Sequence, residues 1–202
     1  MILDLFLSIQ PFPSSAFANK ILQAATFEGV MFLIIPILGV IVEYIIVRGL
    51  RKMIASLTSG SIEYYFSNYV LFFGVVVHEL SHALFALITG AKITKIVLFK
   101  PENGSLGHVE FQARGDTLLR ALQFSVSACA PVVVGIVFLT TLIFKVFPVL
   151  STPIQWILTI YASVSVLFHM NMSKADLNCY FKGAGPILLV GLPVCLMVFF
   201  AR

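Results

Sequence analysis

From residue 121 to residue 144 the chain carries no charged side chain, and from 146 to 173 it carries no Asp, Glu, Lys or Arg. A helix of about 20 apolar residues crosses a bilayer, so these runs restrict the chain to folds that place helices in lipid. Three more stretches read the same way: about 29–47, interrupted by Glu43; about 64–91, charged only at 78–82; and about 183–201. With the third and fourth spans at about 120–145 and 153–172, five spans are expected. Composition agrees. Of 202 residues, 59% are hydrophobic and 11% charged, against roughly 25% charged in soluble proteins. That leaves too little polar cover for a water-soluble monomer. The expected fold is an all-helical polytopic membrane protein, with the lipid bilayer as its surroundings.

Two segments depart from the pattern. Residues 1–27 mix apolar side chains with Pro11, Pro13, Ser14 and Ser15 and are expected to lie at the membrane interface, ahead of a membrane-embedded domain over 28–202. Residues 92–100 are rich in β-formers and 108–111 alternate, separated by turn residues including Pro101, Gly104 and Gly107. This predicts a small β-hairpin at 92–111. The first basic residue is Lys20, so no cleaved signal peptide is expected. Cys129, Cys179 and Cys195 form no CxxC and imply no disulfide framework. The net charge of +4 has no dense basic run behind it, which argues against nucleic acid as a partner. With five spans, eight Lys and Arg fall on the hairpin side and five on the other. The positive-inside rule then puts the hairpin in the cytoplasm.

Chemistry concentrates in Val77-His78-Glu79-Leu80-Ser81-His82-Ala83. This is H-E-x-x-H within an apolar helix. Residues four apart lie one turn apart on one face, so His78 and His82 can reach one ion. Zinc takes neutral imidazole nitrogen and keeps a position for water in catalytic sites. Glu79 is then placed to act as general base. Three ionisable groups within five residues of a spanning helix are costly without partners, and one metal partners all three. The competing reading is a pair of buried histidines satisfied by neighbouring helices.

A third ligand has few sources. Asp176 is the sole carboxylate after Lys145, and on five spans it comes to the same side as the C-terminal half of the His78/His82 helix. Ser173-Lys174-Ala175-Asp176 also reads as a capping box, so ligand and cap are both open for Asp176. His169, seven residues earlier, is the rival ligand or a substrate-facing donor. His108 reads as an ordinary strand residue.

With H-E-L-S-H in a spanning helix, then a short hairpin, another span and an Asp at the end of the next, the chain resembles the site-2 protease family of membrane-embedded zinc metalloproteases. The likeness covers about 66–183, a three-span core with an extra span at each end. It implies one zinc per chain held by His78, His82 and Asp176, with Glu79 as catalytic base. The family's aspartate stands in N-x-x-P-x-x-x-x-D-G. Here Phe168 occupies the Asn position, no proline follows, and Leu177 replaces the Gly. Asn171 or His169 is the candidate for that Asn's work. The 91–116 segment is too short for a PDZ domain.

The expected function is zinc-dependent intramembrane endopeptidase acting on membrane-spanning or membrane-associated protein or peptide substrates. A plasma-membrane location with the active site towards the cytoplasm goes with it. An extended substrate is expected to dock on the hairpin by β-addition, with Gly107 offering no side chain to obstruct it. The rivals are a non-catalytic partner-binding or scaffold subunit that retains the histidines, and a membrane protease for prenylated or soluble peptides.

Overall fold

The computed structural model describes residue 34 and residues 36–98 and 106–200. The expected interfacial segment 1–27, part of the first expected span and the turn at 101–105 lie outside the described residues. What is described is mostly helical, with one two-stranded sheet.

A π-helical turn, Val42–Val47, leads into α1, Arg48–Leu57, which buries no residue. Helix α2, Gly60–Tyr65, starts where the Ser59 hydroxyl accepts the Ile62 N–H. A second π turn, Phe66–Val70, joins it to α3, Phe72–Ile88. The expected second span is thus two pieces, bent by 58° at Leu71. Backbone groups released by a bend need partners where water is absent, and α5, Pro153–His169, supplies them. The Tyr161 hydroxyl donates to the Val70 carbonyl at 2.9 Å. The Ser165 hydroxyl donates to the Leu71 carbonyl at 2.7 Å and accepts the Gly74 N–H at 2.7 Å. Gly74 admits this contact because a Cβ there would run into the Ser165 carbonyl.

Helix α3 stops at Gly90, whose φ is 87°. The Ala91 N–H donates to the Ala86 carbonyl and the Gly90 N–H to that of Leu87, a Schellman closure that needs a left-handed residue. The chain then turns into β1, Lys92–Val97, paired antiparallel with β2, His108–Gln112. The predicted hairpin is therefore present, with a register shift between Ile93 and Lys95. It packs on α3. Buried Gln123, in the helix that follows β2, ties it down: its Nε2 donates to the Thr89 carbonyl and its Oε1 accepts the Arg114 N–H.

Helix α4, Thr117–Thr141, is capped by Asp116 and runs through a π turn, Leu142–Val146, and a 3-10 turn, Phe147–Val149. This 33-residue stretch is long and apolar enough to cross a membrane. Helix α5 begins with a full capping box between Thr152 and Gln155. Helix α6, Lys174–Phe200, starts well before the predicted 183, because Ser173 and Asp176 cap it. The pair Pro153–His169 and Lys174–Ile187 is bent by 61°. Among the described residues one helix qualifies as a span, or up to three if each bent pair is one. This is fewer than the five expected: the first predicted span is only partly described, and Pro153–His169 with Lys174–Ile187, which fall in the fourth and fifth, make one bent pair.

Helices α4 and α6 share the most extensive helix–helix contact. A Cβ on Gly183 would meet the Ala121 carbonyl and Ser125 Oγ, and Ala128, Val132, Met172, Tyr180 and Ala184 fill the contact below. Small residues at such crossings let backbones approach, as in membrane bundles. The distribution of polarity fits the same surroundings. Leu80, Leu84, Leu87, Ile88, Val137, Phe144, Ile157 and Ile160 are exposed, whereas Glu79, His82, Gln123, Ser125, Ser127 and Ser165 are buried.

Candidate metal centre

The two histidines lie on α3 as their spacing requires, with Nε2 atoms 3.1 Å apart. Each ring is held from behind by a backbone carbonyl. His78 Nδ1 is 2.6 Å from the carbonyl of His169, and His82 Nδ1 is 2.8 Å from that of Ser127. A carbonyl only accepts, so both rings carry their hydrogen on Nδ1. Their Nε2 lone pairs then face each other, and the 3.1 Å approach is not a hydrogen bond between neutral rings.

Asp176 completes the cluster. Its Oδ1 lies 3.2 Å from His82 Nε2 and its Oδ2 3.9 Å from His78 Nε2. The cap and ligand readings of Asp176 turn out to be compatible. The Ser173 N–H donates to Asp176 Oδ2 at 2.8 Å, and the Asp176 N–H donates to Ser173 Oγ at 3.2 Å. The capping box thus aims the carboxylate at the histidines. The break between α5 and α6 serves both sides of the cluster. Were the helix unbroken, the Ser173 N–H would bond the His169 carbonyl four residues back. Released, the carbonyl takes His78 and the N–H takes Asp176.

The donor set fits zinc. One ligand atom from each of His78, His82 and Asp176 lies within 4.8 Å of the others. A tetrahedral ion with bonds of about 2 Å separates its ligands by about 3.3 Å; the separations are 3.1 Å between the histidines, 3.2 Å from His82 to Asp176 and 3.9 Å from His78 to Asp176. Acceptors converging with no hydrogen between them repel one another, and a cation at their centre reverses the sign. Ligating histidines also characteristically give their second N–H to a carbonyl or carboxylate.

Glu79 is buried on the same helix, and Gly107, at the foot of β2, lies against it. A Cβ on Gly107 would stand 2.6 Å from Glu79 Cγ and 3.0 Å from the Val97 carbonyl. The absent side chain therefore makes room for Glu79, a different reason from the open substrate path expected from the sequence. The His169 ring turns away from the cluster: its Nδ1 donates to the Ser165 carbonyl at 2.9 Å and packs near Gly74. It is the His169 backbone, not its ring, that serves the histidines, so the rival ligand is set aside. Asn171 is half-buried in the break between α5 and α6. His108 pairs with Val97 in the sheet and lies 3.5 Å from Glu110, as an ordinary strand residue does.

Sequence reasoning missed Gln123, Ser127 and Ser165. Each is a polar residue in an apolar run, which is a usable signal, but each has a partner 34 to 94 positions away.

No curated protein and no solved structure matches the chain. Residues 53–113 match the family model described as Peptidase M50B-like, a segment that holds H-E-L-S-H and both strands and ends before Asp176. Over that segment the chain is similar to the M50B-like peptidases, and the match supports the site-2 protease family.

Proposed function

We propose that the chain is a zinc-dependent intramembrane endopeptidase acting on membrane-spanning or membrane-associated substrates. The observation that carries the reading is the convergence of His78, His82 and Asp176 beside Glu79. Bound zinc would polarise the scissile carbonyl and lower the pKa of the attacking water. His78 and His82 are held ready by the carbonyls of His169 and Ser127, and Asp176 contributes the negative charge. Glu79 accepts the proton of the attacking water and returns it to the leaving amine nitrogen. Burial of Glu79 beneath Gly107 keeps bulk water from competing for that proton.

A helical substrate hides its carbonyls in its own hydrogen bonds, so cleavage requires a locally extended segment. The sheet has two strands among the described residues, and an outer edge near Glu79 suits such a segment. Asn171, half-buried in the break between α5 and α6, is the side chain proposed to touch it. The reading includes five spans in the plasma membrane, with the hairpin and active site on the cytoplasmic side.

The second reading is a non-catalytic membrane subunit in which His82 carries a hydrogen on both ring nitrogens and donates from Nε2 to Asp176 as an ion pair, which their 3.2 Å distance permits. Stripping the purified chain with a chelator and restoring zinc separates the two. The protease reading expects one zinc per chain and cleavage of a membrane reporter that returns with the metal. No bound metal and no cleavage would favour the subunit.

A further inference from the structure

Pro131 stands in the interior of α4. A proline carries no N–H, and its ring crowds the carbonyl four residues earlier. That carbonyl belongs to Ser127. In an uninterrupted helix it would accept the N–H of residue 131; in this chain it is the partner of His82 Nδ1. The Ser127 hydroxyl also donates to the His82 carbonyl at 3.0 Å, so the two residues are clamped in both directions. Ala130 and Val132 are fully buried and Ser127 nearly so, which leaves the released carbonyl to find its donor within the protein.

The two histidines obtain their carbonyls differently. His78 uses one freed by the end of α5. His82 faces the middle of α4, where no helix end is at hand, and a proline is the means of freeing a carbonyl there. We infer that Pro131 is a positioning residue for the metal centre: by withholding an N–H from the Ser127 carbonyl, it reserves that carbonyl for His82 and fixes the imidazole with its Nε2 lone pair towards His78 and Asp176. The inference rests on the zinc reading for its consequence, though not for the hydrogen bond itself.

The test restores the missing N–H and then removes it again. Pro131→Ala in the full chain supplies a competing donor. Replacing residue 131 with lactic acid, the hydroxy-acid analogue of alanine, has neither the ring nor the N–H. Two readouts are taken: zinc affinity by chelator competition, and the tautomer of His82 by nitrogen NMR of the metal-free chain, which contains four histidines. Pro131→Ala is expected to weaken zinc about 10–100-fold, the usual loss when a group orienting a ligand is disturbed, and to mix the His82 tautomers. The lactic acid variant is expected to match wild type in both.

Zinc affinity within twofold of wild type and an unchanged tautomer in Pro131→Ala would overturn the inference. So would equal losses in both variants, since the ring and not the missing N–H would then matter. If Pro131→Ala does not fold, the lactic acid variant decides alone: wild-type behaviour supports the inference and loss overturns it. Wild-type protein that binds no zinc would refute the metalloprotease reading, while the tautomer comparison would still judge Pro131.

Discussion

On the zinc reading Asp176 holds two jobs, helix capping and metal binding, that separate by substitution. Asn at this third helical position keeps an oxygen that can accept the Ser173 N–H and so preserves the capping box, but it removes the charge. Asp176→Asn is therefore expected to leave the thermal midpoint near wild type. Its zinc affinity, measured by competition, should fall by more than the roughly 10–100-fold lost when an orienting group is removed. Ser173→Ala does the reverse: it removes the hydroxyl that accepts the Asp176 N–H, costs about 1 kcal/mol of stability, and should weaken zinc less than Asp176→Asn. His169→Ala retains the carbonyl that holds His78 and should keep its zinc. Depleted zinc in His169→Ala with full zinc in Asp176→Asn would exchange their roles. His78, Glu79 and His82 were legible in the sequence because one helical turn brings them together. Asp176 was legible by elimination, but the opposition of cap to ligand was false, since a carboxylate has two oxygens and the cap engages Oδ2 while His82 lies nearest Oδ1.

Among the elements, α3 and the hairpin depend on contacts that the sequence does not announce. Leu71 is an ordinary residue, yet the chain bends there because Tyr161 and Ser165, more than ninety positions on, satisfy the carbonyls on either side of the bend. Ser165→Ala would leave the Leu71 carbonyl without its α5 partner, and a loss of about 1–3 kcal/mol in stability is expected, read as a lower unfolding midpoint in detergent. The end of α3 was easier to foresee, since Gly90 marks a helix stop. Gly107→Ala forces either Glu79 or the Val97 carbonyl to move. Its reporter cleavage is expected to fall at least tenfold while zinc remains near one per chain, because the added Cβ meets Glu79 and the Val97 carbonyl. Cleavage and zinc both unchanged would mean that the hairpin yields without disturbing Glu79. A proline at Val109, which sits opposite Ile96, should likewise cut cleavage more than zinc binding, since it removes a strand N–H.

Across the whole molecule, the long apolar runs made a mostly helical chain legible, with at least one helix long and apolar enough to cross a membrane. Span boundaries were less legible. Bends at Leu71 and at 170–173 divide two of the predicted spans or join them to neighbours, and their causes are tertiary. Orientation is testable by single cysteines. Placed at Lys95, in the hairpin, a cysteine should react with an impermeant reagent from the cytoplasmic side, and one at Ser151, ahead of α5, from the opposite side. The reverse pattern would invert the topology and put the active site away from the cytoplasm.

The central claim is that a zinc centre on α3 and α6 hydrolyses peptide bonds with Glu79 as its base. It is tested most directly by counting zinc and cleavage in the same purified samples of wild type and Glu79→Gln, with a membrane-spanning reporter as substrate. Gln is nearly the same shape as Glu and cannot take a proton. About one zinc per chain is predicted in both, with cleavage in Glu79→Gln lower by about 100- to 10,000-fold. Near wild-type cleavage by Glu79→Gln, or wild-type protein that cleaves the reporter without bound metal, would contradict the account.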